Sequence, residues 1–190
     1  MISAVSTCFQ KYVTFSGRAS RREFWYFILF MVLCSALLVV VNSALFGPEI
    51  RTVGSLDADG NVIPESVRQE TYYNGGRLDD VFLLICLLPW LAVTWRRMHD
   101  SGLPGYLPFL TVLMFIGLCF LIVAANLGLE EMWRQIRATG QVQVTLSNGV
   151  QTTLLFLGAL WMLITNIFLL CRRSDAAPNK YGPNPNEVLQ

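Results

Sequence analysis

Four long apolar stretches without acidic or basic residues dominate the hydropathy pattern of this chain. They are Phe24–Pro48, Val81–Trp95, Leu103–Leu129 and Ala138–Cys171, the last being most apolar over Leu154–Cys171. A helix needs about 20 apolar residues to cross the hydrocarbon core of a bilayer. The first, third and fourth stretches meet this length, so each predicts a membrane-spanning helix.

The stretch Val81–Trp95 is short for a crossing, because its 15 residues would span roughly 22 Å of a core that is about 30 Å thick. A re-entrant or interfacial segment is the alternative. Basic residues precede the first stretch and Arg96–Arg97 follow this one, so both groups reach the same side only if two crossings separate them. The charge pattern therefore favours a second span, with flanking charges that reach the interface and a kink permitted at Pro89.

The composition also indicates a membrane protein. Apolar residues make up 54% of the 190 residues and charged residues only 14%, against about 25% charged residues in soluble domains. This balance excludes a water-soluble globule and a disordered chain, and a net charge of +1 gives no field that would attract nucleic acid. The length suits one domain, so residues 1–190 are expected to form a single integral membrane domain.

The distribution of charge predicts the orientation. Four crossings put both termini on one side, where the segments hold nine basic and four acidic residues, whereas the other segments hold five basic and nine acidic ones. Basic residues accumulate on the cytoplasmic side of membrane proteins. The predicted fold class is an all-α membrane protein with four transmembrane helices, cytoplasmic N and C termini, and small β-hairpins in the outer loops. The expected segments are an interfacial segment at 1–19, spans at about 24–46, 79–96, 103–127 and 152–171, outer loops at 47–78 and 128–151, and a cytoplasmic tail at 172–190.

Residues 3–14 predict a short amphipathic helix along the inner membrane surface. Val5, Phe9, Tyr12 and Val13 recur at helical spacing and form one apolar stripe.

Both outer loops carry hairpin signals. Residues 57–61 read D-A-D-G-N, but Val62 stands where a calcium-binding loop needs glycine, so a turn between strands at 53–56 and 62–63 is the better interpretation. A short helix is predicted over 128–139, followed by alternation at 142–146 and by the hairpin signal Asn148-Gly149. We expect hairpins at about 53–63 and 141–153 to pair into one small sheet, with two independent flexible loops as the alternative.

The polar string F-S-G-R-A-S-R-R-E-F-W at 15–25 precedes the first span. Ser20 and Glu23 have the spacing of a capping box, which predicts a helix start near Ser20, with Trp25 as an interfacial aromatic residue. One interpretation is an ordinary capped and anchored helix start. The sharper interpretation is that its arginines bind an anionic headgroup or a partner.

A second string, R-R-M-H-D-S-G-L-P-G-Y at 96–106, joins the second and third spans. Gly102 suits a left-handed helix end and Pro104 a first helical turn, which predicts a tight hairpin with Arg97, His99 and Asp100 at its tip. One His beside one Asp is a poor metal site and lacks a nucleophile, and the five cysteines show no metal-ligand spacing. We therefore expect no catalytic residue, no cofactor and no metal.

The tail string N-K-Y-G-P-N-P at 179–185 consists of turn-forming residues. Together, the three strings resemble the DUF805 family of small bacterial inner-membrane proteins, in which they occur in the same order. The resemblance implies a multi-pass protein of the inner (plasma) membrane and no particular activity. Many members are shorter, so the loops at 47–80 and 128–153 are expected to be additions. The matching positions are Gly17, Arg18, Arg21, Glu23, Trp25, Arg97, His99, Asp100, Gly102, Gly105, Asn179, Tyr181, Gly182 and Pro183.

The three strings are expected to form one polar cluster on the cytoplasmic face, because partly desolvated charges destabilise a protein unless they are paired. We predict that Asp100 lies within about 4 Å of Arg97 or of a basic residue of the first string, and that residues 179–183 cover the cluster. The candidate interaction residues are Arg18, Arg21, Glu23, Trp25, Arg97, His99, Asp100, Asn179 and Tyr181.

The predicted function is non-catalytic. An accessory or scaffold protein would use this cluster to engage anionic lipid headgroups, a protein partner or a second copy of itself. A small transporter or channel subunit is the alternative, although transport usually requires ionisable residues at membrane depth and the spans offer only Asn42, Asn126, Asn166 and a few hydroxyls. A lipid-modifying enzyme, with His99 and Asp100 as acid and base, is the third hypothesis.

Overall fold

The computed structural model describes residues 1–53, 65, 67–72, 76–139 and 149–185. Helices α2, α3, α4 and α6 are long and apolar enough to cross a membrane, which confirms the predicted helical fold with four spans. The elements are α1 (Ile2–Gln10), α2 (Arg21–Phe46), β1 (Glu49–Val53), β2 (Arg68–Tyr72), α3 (Gly76–Asp100), α4 (Leu107–Leu127), α5 (Leu129–Thr139) and α6 (Gly149–Cys171).

Helix α3 is longer than the uncharged stretch that predicted it. It has 25 residues, or about 37 Å, because it includes charged residues at both ends. The last turn contains an i,i+3 ion pair between Arg97 and Asp100, a pairing that supports helical structure. The helix is thus long enough for a full crossing. The shortness of the uncharged stretch gives no reason to regard it as re-entrant.

Helix α4 begins at Leu107, four residues after the predicted start of the third span. Residues 101–106 form the connection from α3, and Pro108 stands in the first turn of α4. The expectation that Pro104 would occupy this turn was therefore wrong. Proline suits the first turn because the N–H groups there have no partner within the helix.

The chain divides into two compact units. The first consists of Met1–Thr14 and Arg22–Ala92, and the second of Phe15–Arg21 and Val93–Gln190. The assignment of one integral membrane domain remains a prediction.

In the first unit, aromatic side chains hold α1 against α2. The Phe9 ring meets the rings of Phe27 and Phe30 edge-on, with centroid distances of 5.8 and 6.1 Å, and Phe30 contacts Phe82 of α3 at 6.0 Å. The predicted N-terminal helix is confirmed over residues 3–10. Residues 11–13 form a turn, so Val13 does not continue the helical stripe and is exposed.

Tyr12 replaces a hydrogen bond that Pro89 removes from α3. Proline has no N–H, so it leaves the carbonyl of Ile85, four residues earlier, without its helical donor. The Tyr12 hydroxyl donates to this carbonyl at 2.5 Å. The chain after α1 is thereby attached to α3 at the point where the helix itself offers no donor.

The first long loop contains an antiparallel strand pair, in which Ile50 of β1 stands opposite Thr71 of β2. A hairpin was expected in this loop, but the observed strands lie nearer to its ends than predicted. The predicted turn within 53–63 lies outside the described residues beyond Val53. The partner of β1 is a strand of the same loop, and any pairing with residues 140–148 also lies outside the described part of the chain.

In the second unit, α4 and α6 approach each other closely at a glycine. A Cβ atom at Gly158 would lie 2.7 Å from the side chain of Leu118. Nearer the other end of α6, Asn166 Nδ2 donates to Thr111 Oγ1 of α4 at 2.6 Å. A polar contact within the protein suits this depth because the hydrocarbon core offers no water as a partner.

Helix α5 confirms the short helix predicted after the third span. The hairpin predicted at 141–153 was wrong over its last five residues, because α6 begins at Gly149. Thr153 Oγ1 donates to the Gly149 carbonyl at 2.8 Å, a bond within the first turn of this helix. Residues 140–148 lie outside the described part of the chain.

Candidate functional site

The C-terminal end of α3 brings three of the candidate residues together. The Gly102 N–H donates to the His99 carbonyl and the Leu103 N–H to the Met98 carbonyl, both at 3.1 Å, as in a Schellman helix end. Gly102 has φ +73°, and a Cβ atom there would lie 2.8 Å from Asp175 Oδ2. The predicted left-handed stop at Gly102 is confirmed, and this glycine also makes room for Asp175.

Asp100 lies at the centre of the site, with its side chain fully buried. Its Oδ1 accepts from Arg18 Nε at 3.0 Å and forms an ion pair with Arg18 Nη2, also at 3.0 Å. Its Oδ2 accepts from Arg97 Nη1 at 2.6 Å and from the Ser174 hydroxyl. Three donors therefore occupy most of the roughly four acceptor positions that a carboxylate offers. The predicted pairing of Asp100 is confirmed, and we call Arg18, Arg97 and Asp100 the arginine–aspartate cluster.

Arg18 also fixes the C-terminal tail. Its Nη2 donates to the Asp175 carbonyl at 2.5 Å, and its Nη1 donates to the carbonyls of Ala177 and Gly182 at 3.0 and 3.4 Å. The next residue of the same string, Ala19, donates its N–H to the Arg96 carbonyl at 3.0 Å. Arg18 therefore joins the segment before α2, the end of α3 and the tail.

Arg97 fixes the end of α6. Its side chain is fully buried, and its Nε donates to the Leu170 carbonyl at 2.9 Å. Its Nη2 donates to the Arg172 carbonyl. The last carbonyls of a helix have no donor within the helix, so Arg97 caps α6 while it pairs with Asp100.

His99 lies in a stack of rings. Its imidazole is parallel to the Tyr181 ring at 3.7 Å between centroids, and Lys180 Nζ lies 4.9 Å from the centroid of Tyr181. Nδ1 lies 3.2 Å from the Gly17 carbonyl oxygen. A carbonyl only accepts hydrogen bonds, so Nδ1 carries a proton. Only 7% of His99 is exposed, and its ring holds the tail in place.

The tail covers the cluster, as predicted. Asn179 Nδ2 donates to the His99 carbonyl and to Asp175 Oδ2, both at 2.9 Å, and its Oδ1 accepts from the Tyr181 N–H at 3.0 Å. Asn179 and Gly182 also exchange backbone hydrogen bonds. The string N-K-Y-G thus forms a closed turn that is attached to the end of α3.

An aromatic layer lies beside this turn. A Cβ atom at Gly105 would lie 2.3 Å from the Trp95 indole, so the backbone at Gly105 lies directly against this ring. Trp95 also stacks on Phe109 with 6.2 Å between centroids and meets Phe15 edge-on at 5.9 Å. Glycine is needed at position 105 because the indole occupies the space of a side chain.

Six of the nine candidate residues meet in this site, namely Arg18, Arg97, His99, Asp100, Asn179 and Tyr181. Arg21 is exposed at the start of α2. Glu23 and Trp25 belong to the first unit, where Glu23 accepts from the Cys8 thiol at 3.9 Å and Trp25, 39% exposed, lies against Phe24.

Sequence reasoning missed Ser174 and Asp175. Both follow the exposed pair Arg172–Arg173, so the segment reads as a solvated tail. The one available signal was that Asp175 is the only acid between α6 and Glu187.

Asp100 is the counter-ion of the two buried arginines Arg18 and Arg97, and the side chain of the neighbouring Arg96 is buried as well. Buried charges are tolerated when they are paired and hydrogen-bonded, and removal of one partner costs about 3–5 kcal/mol. Among the described residues, no group of three or more His, Cys, Asp or Glu side chains is placed to hold a metal ion. The hydrogen bonds of Arg18, Arg97 and Asp100 join the segment before α2, the end of α3, the end of α6 and the tail.

Comparison with known proteins relates the chain to one family. The model of the family described as "Protein of unknown function (DUF805)" matches residues 12–183. Inner membrane protein YhaH of Escherichia coli K12 is 30% identical over 114 residues, which are 60% of this chain and 76% of that protein. Inner membrane protein YhaI of the same organism is 31% identical over 114 residues, 60% of this chain and 75% of that protein. No solved structure matches. With the four membrane-length helices, these relatives confirm a multi-pass protein of the inner membrane.

Proposed function

The chain belongs to the DUF805 family, and for this member we propose a non-catalytic accessory function in which exposed basic residues beside the arginine–aspartate cluster hold acidic lipid headgroups. In this proposal both termini are cytoplasmic, as the distribution of charge along the sequence indicates. The headgroups are then those of the cytoplasmic leaflet, whose anionic lipids attract basic segments close to the membrane.

The observation that carries the proposal is the separation of buried from exposed charge. Arg18 and Arg97 are buried and bonded within the protein, whereas four basic residues on the adjoining segments are exposed. We call these four the basic rim: Arg21, Arg172, Arg173 and Lys180. None of the four pairs with a carboxylate in the part of the chain that the structure describes.

Contacts with the buried part of the site fix the segments that carry the basic rim. The Arg172 carbonyl accepts from Arg97, and Lys180 lies over Tyr181, which is stacked on His99. Arg21 follows a segment whose backbone is bonded to α3. Charges whose backbone is already fixed lose less conformational freedom on binding, which favours a binding surface.

The same geometry supports binding over catalysis. A general acid or base must reach a substrate proton, whereas the fully buried Asp100 carboxylate has three internal donors and His99 is stacked and buried. Within the spans, Asn166 donates to Thr111, and Asn126 donates to the Ile122 carbonyl at 2.7 Å. These amides serve helix structure and packing, which favours an accessory protein over a transporter.

The test is native mass spectrometry of the full-length protein extracted from bilayers with equal amounts of phosphatidylglycerol and phosphatidylethanolamine. A rim variant with Arg21→Gln, Arg172→Gln, Arg173→Gln and Lys180→Gln leaves the buried cluster intact. We expect the amount of phosphatidylglycerol bound to this variant to be about tenfold lower than for the wild type, since each basic residue near an anionic surface adds to the attraction. Retention of phosphatidylethanolamine should not change.

A control variant removes the same number of charges from the other predicted side, through Arg68→Gln, Arg77→Gln, Arg134→Gln and Arg137→Gln. Equal phosphatidylglycerol retention by the rim variant and the wild type would overturn the proposal. Equal losses in the rim and control variants would also overturn it, by showing a general effect of charge. A stoichiometric protein that is lost only from the rim variant would replace the lipid by a protein partner.

A further inference from the structure

Helix α5 has one apolar and one charged face. At 100° per residue, Leu129, Met132, Trp133 and Ile136 fall within an arc of about 100°, and the glutamates and arginines of the helix occupy the remaining circumference. Met132 is buried, at 6% exposure, whereas Leu129, Trp133 and Ile136 are 51%, 53% and 36% exposed. Three large apolar side chains therefore form an uncovered stripe in the described part of the protein.

The charged face of α5 is suited to water. Arg134 Nη2 donates to Glu131 Oε1 at 2.9 Å, and the Arg134 side chain is 77% exposed. This hydrogen bond lowers the pKa of Glu131. A helix with this face cannot lie within the hydrocarbon core, because the charges would lose their water.

The start of α5 lies at the edge of the bilayer because it directly follows the spanning helix α4 in the chain. Gly128 alone separates it from Leu127, the last residue of the spanning helix α4, and the Gly128 N–H donates to the Ala124 carbonyl at 2.9 Å. One residue advances the chain by about 3.8 Å. The first turn of α5 therefore lies at the height where α4 leaves the membrane.

We propose that α5 lies in the interface of the leaflet in which α4 ends, with Leu129, Trp133 and Ile136 inserted between the lipid headgroups and the upper acyl chains. Amphipathic helices with a charged face bind in this position, and tryptophan favours this depth. The partner of the uncovered stripe is thus the lipid surface that adjoins α4. The helix would anchor α4 at a defined depth, independently of the basic rim.

The test uses full-length protein labelled with 5-fluorotryptophan and placed in lipid nanodiscs. Fluorine NMR resolves the five tryptophans, and Trp133→Phe and Trp161→Phe identify two of the signals. Nitroxide lipids labelled at acyl carbon 5 or carbon 16 and a water-soluble gadolinium chelate then report depth. Trp161 lies in the middle of the spanning helix α6 and is 48% exposed, so it serves as the deep control.

We expect the carbon-5 nitroxide to broaden the Trp133 signal at least about threefold more than the carbon-16 nitroxide does, with the reverse order for Trp161. Broadening of Trp133 by the gadolinium chelate alone would place the stripe in water and overturn the proposal. A Trp133 signal that is insensitive to all three probes would also overturn it, because a protein segment or a second copy would then cover the stripe.

Discussion

At Asp100, donors from three separate chain segments converge on one carboxylate: Arg18 before α2, Arg97 in α3 and Ser174 in the tail. Asp175 lies close by, but its side chain is half-buried and accepts from Asn179. Loss of the Asp100 carboxylate leaves two buried guanidinium groups without their counter-ion. Loss of the Asp175 carboxylate leaves no buried charge unpaired. Replacement of Asp100 is therefore expected to lower the free energy of unfolding more than replacement of Asp175.

We predict that Asp100→Ala lowers the free energy of unfolding by about 3–5 kcal/mol and that Asp175→Ala lowers it by about 1 kcal/mol. Asp100→Asn preserves the shape and should fall between them. Unfolding in mixed detergent micelles, followed by circular dichroism, measures the three values. Equal losses for the two alanine variants would show that Asp100 is only a solvated surface residue.

Glycine at 105 is required by the Trp95 ring, which lies on the preceding helix. A Cβ atom there would overlap the Trp95 ring, whereas a Cβ atom at Gly117, within α4, would meet nothing within 4 Å. We predict that Gly105→Ala costs about 1–3 kcal/mol and that Gly117→Ala is neutral or stabilises by up to about 1 kcal/mol. Thermal unfolding of both variants checks this difference, and similar melting temperatures would contradict it.

Among the elements, α3 departs most from what its sequence predicts. Its charged ends and its internal proline argue locally against one continuous helix, yet it runs from Gly76 to Asp100. Ion pairing supports its last turn, and the Tyr12 hydroxyl takes the place of the missing N–H of Pro89. One contact within the helix and one from a residue far away in the chain therefore support it.

A double-mutant cycle tests the contact between Tyr12 and the Ile85 carbonyl. We predict that Tyr12→Phe costs about 1 kcal/mol in the wild type and little in a Pro89→Ala background, where the N–H of the introduced alanine can donate to Ile85. The coupling energy, measured from the unfolding of the four proteins, should be about 1 kcal/mol. Strictly additive effects would show that the hydroxyl does not serve this carbonyl.

For the whole molecule, the distribution of charge predicts the orientation in the membrane. The segments assigned to the cytoplasm carry a surplus of five positive charges, and the segments on the other side carry a surplus of four negative ones. We predict that green fluorescent protein fused to either terminus of the full chain fluoresces in bacterial cells, while alkaline phosphatase at the same positions is inactive. An active phosphatase at the C terminus would reverse the orientation and move the basic rim to the outer leaflet.

Several features were predictable because their causes are local. A run of apolar residues is sufficient to define a spanning helix, since each backbone polar group is satisfied within the helix itself. Gly102 marks the end of α3 through its own backbone conformation. The pairing of Asp100 was also predictable, because four crossings bring the charged strings to one side and a half-buried carboxylate there needs a cation.

The sequence by itself determined the membrane class, the four spans, the end of α3 at Gly102 and the meeting of three polar strings. Only the tertiary structure decided particular contacts: Ser174 on Asp100, Tyr12 on Ile85, and the Trp95 ring in the space beside Gly105. The physical reason is distance along the chain. Hydropathy and helix ends depend on neighbouring residues, whereas a hydrogen bond or close ring contact between distant residues depends on where folding brings each backbone.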